Sequence, residues 1–158
     1  MFDPDDLDPV TASYHEAGHA LVAHLLGGEV VQVTLEDEDG DLQGKTTVAW
    51  RLADANERAR RHGLAALAGP LAETRHRGDV DPPAVFSAWA ADWRDVQRAL
   101  AICTPRGSAP HRLLQAWIAE VAAMFCDADV WERLCRVADA LEAHGTLDAD
   151  LFTDAAGS

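Results

Sequence analysis

Cysteine is scarce in this 158-residue chain: Cys103, Cys126 and Cys135 make an odd number, and no two have C-x-x-C spacing. That argues against a disulfide framework and makes a reducing compartment the simpler expectation. Each thiol reads as a small core residue rather than a ligand. Long apolar runs are missing too. No stretch approaches the roughly 18 uncharged apolar residues of a membrane span, and Met1-Phe2-Asp3-Pro4-Asp5-Asp6 has no apolar export core. Basic charge is short: 13 Lys and Arg stand against 27 Asp and Glu, a formal net charge of −14. Such a surface repels phosphate backbones and makes nucleic acid a poor partner. No G-x-x-x-x-G-K-[ST] segment occurs, so ATP chemistry has no P-loop to use. The expectation is a soluble, unsecreted, cytoplasmic protein.

What is present is ordinary for a folded domain: 48% hydrophobic and 25% charged residues. The length suits one domain with a core that needs no staples. Residues 1–10, rich in Asp and Pro, read as a loose lead-in, and 11–158 as a single domain. Thr11 is the expected cap of a helix from about 12 to 26, with Ala17, Leu21 and Leu25 at helical spacing and Gly27-Gly28 as its stop. Val30 to Leu35 reads as a strand, Asp37 to Asp41 as a turn, and Gln43 to Trp50 as the returning strand of a hairpin. Asp54, with Glu57 three residues on, caps a second helix to about His76, which Gly63 and Gly69-Pro70 are expected to kink or split.

Pro82-Pro83 opens a third helix whose Phe86, Trp89, Trp93, Val96 and Leu100 form one apolar stripe. A loop with Pro105, Gly107 and Pro110 leads to a fourth helix carrying Leu114, Trp117, Ile118, Val121 and Phe125. A fifth carries Val130, Leu134, Ala138 and Leu141 and ends near Gly145, and a short last turn or helix starts at Thr146. The fold class expected is mostly α (α+β), with one small β-hairpin.

The chemistry concentrates in His15-Glu16-Ala17-Gly18-His19. Histidines at i and i+4 lie one turn apart on one side of a helix, so their imidazoles can converge on one ion. Zinc accepts such nitrogens and, when catalytic, keeps a position open for water. A glutamate directly after the first histidine reaches that water and can carry its proton to a leaving amine. Gly18 weakens the helix by roughly 1 kcal/mol against alanine, which suits close approach of another element.

A third ligand is needed. Val22 and Leu25 stand where the metzincin extension requires glycine and histidine, so that class is excluded. His24 points away from His19. Glu57 and Glu73 are candidates on the second helix, although capping or surface roles explain both. On the third helix Asp92 lies roughly 80° and Asp95 roughly 140° from the centre of the aromatic stripe. The stripe favours Asp92. Ala88, Ala91, Ala99 and Ile102 surround Asp95 and favour that residue instead.

Thr11 to Ala23, centred on His15-Glu16-Ala17-Gly18-His19, resembles the proteolytic domain of the FtsH family, the membrane AAA zinc proteases. The likeness continues through Val33-Thr34-Leu35, Gly44 and Thr46, then Ala68-Gly69-Pro70-Leu71-Ala72-Glu73, which is similar to the family's G-G-R-x-A-E. It takes in Asp95-Val96-Gln97-Arg98-Ala99, similar to D-[IL]-x-x-A, and Thr146-Leu147-Asp148. The resemblance implies a helical, zincin-like metallopeptidase domain. In it His15, His19 and an aspartate of the third helix bind Zn2+, and Glu16 is the catalytic base. The local pattern selects Asp95; spacing from the preceding segment suits Asp92, the alternative. Pro70 and Ala68 depart from the family's arginine and first glycine.

The resulting expectation is an ATP-independent zinc endopeptidase acting on peptides or unfolded protein, with no other cofactor. The alternative is a zinc-binding regulatory or interaction domain with little activity. A dedicated partner protein or a homo-oligomer suits either.

Overall fold

A computed structural model describes residues 9–36, 44–78 and 89–157. The expected turn at Asp37–Asp41, the strand start at Gln43, Pro82-Pro83, Phe86 and Ala88 lie outside them, as does most of the 1–10 lead-in. Helix α1 spans Pro9–Leu25, so Thr11 sits inside it and is not its cap. Proline's fixed φ and missing N–H suit a first helical turn, which starts the helix early. Gly27, at φ 91°, ends it, and the Gly28 N–H bonds the Ala23 carbonyl at 2.8 Å. Ala17, Ala20, Leu21, Val22 and Ala23 have no exposure. A helix apolar on nearly all sides is a central one, and α1 packs against the second and the fifth helices of the chain.

Helix α2 (Ala55–Arg77) starts where expected: the Asp54 carboxylate accepts from the N–H groups of Asn56 and Glu57. It continues as one helix through Pro70 and is not split. Its small residues are spent on contact. A Cβ at Gly18 of α1 would fall 2.5 Å from the Ala68 carbonyl oxygen and 2.7 Å from the Ala72 Cβ, and one at Gly63 would fall 2.6 Å from Trp117. Alanine is therefore too large at either glycine unless the helices separate.

Helix α3 (Ala90–Cys103) buries Val96, Ala99 and Leu100, while Trp93 is 39% exposed. The expected stripe is corrected at Trp93, because α3 turns Ala99 rather than Trp93 toward Gly63 of α2. The small-residue face expected around Asp95 packs only in part: Ala99 is buried against Gly63, but Ala91 is exposed and Ile102 is 54% exposed. Helices α4 (Pro110–Cys126) and α5 (Ala128–His144) form as expected, with Trp117, Val121, Phe125, Leu134, Ala138 and Leu141 buried, but Ile118 of the expected set is 36% exposed. Gly145 (φ 75°) closes α5.

Past Gly145 the chain forms a strand that was not expected. β3 (Thr146–Asp148) pairs antiparallel with β1 (Glu29–Thr34), and Asp148 then caps α6 (Ala149–Ala156). With β2 (Lys45–Ala49) on the other side, the sheet order is β2-β1-β3. A register irregularity between Val30 and Gln32 changes the phase of β1. Both Val30 and Val33 therefore face the core, while Val31 is 46% exposed. The protein is mostly α with a small antiparallel sheet. Among the described residues no helix is long and apolar enough to cross a membrane.

Candidate metal centre

Helix α1 carries His15 and His19 one turn apart, their ring centroids 4.7 Å from each other and their planes at 79°. Each ring is held from behind. Nδ1 of His19 donates to the Ala65 carbonyl of α2 at 2.7 Å, which leaves Nε2 as the free nitrogen. Nδ1 of His15 lies 3.8 Å from Glu73 Oε2, and that carboxylate, 3% exposed, accepts the Trp89 indole N–H at 2.5 Å. The Nε2 atoms both meet Asp92 of α3: His15 Nε2 is 2.8 Å from Oδ2, and His19 Nε2 is 3.2 Å from Oδ1. Gly69 makes the arrangement possible, since a Cβ there would collide with the His19 ring.

The electrostatics follow from burial and pairing. Burial disfavours the imidazolium of His15, but hydrogen bonding to Asp92 and then Glu73 outweighs it and lifts the pKa to about 10. His19 is raised in the same way: the charge and hydrogen bond of Asp92 overcome burial. Burial pushes Asp92 up, yet the two histidines hold it far below the usual carboxylate range. The three side chains share their protons as one coupled set.

Glu16 faces its own support. It is 5% exposed, and its Oε2 accepts the Thr46 hydroxyl of β2 at 2.8 Å. A Cβ at Gly44 would strike its carboxylate. His15, Glu16 and His19 each offer a donor atom, all within 4.8 Å of one another. Beside them opens a cleft of about 260 Å³, lined by Glu16, His19 and Asp92 with Thr46 and Val48 of β2 and Trp50 just beyond it.

This donor set fits zinc. Two ligands about 2.1 Å from one tetrahedral ion stand about 3.4 Å apart, close to the spacing of Asp92 from the two Nε2 atoms. The second nitrogen of His19 is anchored by the Ala65 carbonyl, in the way usual for metal-ligating imidazoles, and that of His15 has the Glu73 carboxylate 3.8 Å away.

The structure thus brings together His15, Glu16, His19 and Asp92, the alternative third candidate. It does not bring Asp95, whose carboxylate lies 3.7 Å from His62 Nε2 and 3.9 Å from Arg98. Helix phase turns Asp92, not Asp95, to the histidines. Glu57 pairs with Arg60 and Arg61, and His24 packs edge-on to Phe152. Glu73 stands behind His15. The roles of Thr46, the Ala65 carbonyl and Trp89 carried no local signal in the sequence. In comparisons with known proteins, no family model and no curated protein matches this chain.

Proposed function

We propose that this chain is an FtsH-like, zinc-dependent peptidase of the cytoplasm. The observation that carries the reading is the convergence of both Nε2 atoms on Asp92, with the Glu16 carboxylate beside them at the wall of an open cleft. His15, His19 and Asp92 would hold the ion. Zinc bound there supplies Lewis acidity, polarising a peptide carbonyl and lowering the pKa of water.

The other work belongs to side chains of this chain. Glu16, fixed by Thr46, takes the proton of the attacking water and returns it to the leaving amine. β2 is an edge strand of the sheet and borders the cleft, so an extended peptide can pair with its free edge.

The test begins with zinc content, expected at one per chain, and cleavage of an unfolded protein. Glu16→Gln should keep the metal and abolish cleavage; His15→Ala should lose both. Wild type that binds zinc tightly yet leaves unfolded protein intact would assign the regulatory or protein-binding role instead.

A further inference from the structure

We propose that His62, set beside Asp95, is a further catalytic residue of the reaction described above, donating a ring N–H to the oxygen of the scissile carbonyl as negative charge develops there. The inference rests on the peptidase reading. Both residues line the same cleft as Glu16, His19 and Asp92. His62 precedes Ala65, the carbonyl that holds His19, by three residues on α2, and Asp95 follows Asp92 by three on α3. Three residues advance a helix by about 4.5 Å. The His62–Asp95 pair, between α2 and α3, is therefore about one turn along those helices from Ala65 and Asp92, the two residues that meet His19 of α1.

The two pairs differ in what they can do. The His19 side chain is 11% exposed and committed at both nitrogens. His62 is 50% exposed, and its Nε2 lies 3.7 Å from Asp95 Oδ2, too far for a hydrogen bond. Imidazole carries at least one N–H in either common protonation state, so His62 keeps a donor for a ligand in the cleft. Asp95, which Arg98 also approaches at 3.9 Å, is a positioning residue rather than a ligand.

In the step, water oxygen bonds to the carbonyl carbon and the carbonyl π pair moves onto oxygen. Glu16 receives the water proton and passes it to nitrogen as the C–N bond breaks. His62 transfers nothing; it stabilises the oxyanion, a contribution worth about 100-fold to 1000-fold in kcat at comparable sites.

The experiment compares zinc-loaded wild type with His62→Ala, His62→Gln and Asp95→Asn. It reads zinc per chain, kcat and KM on a fluorogenic peptide, and calorimetric binding of a phosphinic peptide against its amide parent. His62→Ala should keep its zinc and lose about 100-fold in kcat with KM within about threefold. It should weaken the tetrahedral phosphinic peptide far more than the amide. His62→Gln, which retains a donor, should recover part of the loss, and Asp95→Asn should lose about fivefold to tenfold. A His62→Ala protein that cleaves and binds the phosphinic peptide within about threefold of wild type overturns the role and leaves the peptidase standing. Equal weakening of both peptides, or loss of zinc, also overturns it. Wild type that holds zinc but neither cleaves nor binds the phosphinic peptide sinks both readings together.

Discussion

Asp92 offers one carboxylate oxygen to each of the two histidines, Oδ2 to His15 at 2.8 Å and Oδ1 to His19 at 3.2 Å. Asp92→Ala therefore removes the only carboxylate that touches both Nε2 atoms among the described residues. Breaking a buried pair on one side costs about 3–5 kcal/mol. Asp92→Ala should lower the denaturation midpoint of the metal-free chain and reduce zinc content well below one per chain. Asp95→Ala should retain zinc. Metal analysis of the two purified variants checks this; full zinc in Asp92→Ala would rule out Asp92 as a ligand.

The same pairing fixes a pH dependence for metal-free protein. His15 has a folded pKa near 10 against an ordinary 6.5, so its stabilisation is complete below about 6.5 and is lost as pH rises through about 10. Asp92 is depressed below its ordinary 3.8. Its stabilisation is present above that value and is lost as pH falls beneath it. The cluster contributes fully between about pH 4 and 6.5. In urea titrations the stability gap between wild type and His15→Gln should be widest there and shrink toward pH 10. Zinc must displace these protons, so its apparent affinity should climb with pH.

Glycine substitutions separate packing from ligation. Gly18→Ala improves helix propensity by about 1 kcal/mol but drives a methyl group into Ala68 and Ala72. Overpacking of this kind costs about 1–3 kcal/mol, so the variant should be less stable by thermal melting. Gly69→Ala meets the His19 ring itself and should cost zinc affinity out of proportion to stability, as read by competition with a chelator.

Thr46→Val keeps the shape of β2 and removes the hydroxyl that holds Glu16. Hydrogen bonds to charged groups are worth about 1.5–3 kcal/mol. On the peptidase reading kcat should fall about tenfold or more while zinc content stays unchanged. An unaltered kcat would show that Glu16 needs no such support.

Local order along the chain was legible where neighbours in sequence decide it. His15 and His19 share a side of α1 because four residues make one helical turn. Asp54 and Gly145 mark helix ends because their side-chain or backbone chemistry acts within four residues. Other features depend on the packing of distant segments. β3 is a three-residue strand with no periodicity to announce it, formed only because β1 offers a free edge. Asp92, Thr46 and the Ala65 carbonyl reach the histidine helix from 30 to 77 residues away. The rotation of α3 sets which of Asp92 and Asp95, three residues apart on one helix, faces the histidines. Amphipathic patterning gave conflicting answers there, because it reports which face is apolar and not which neighbour that face meets.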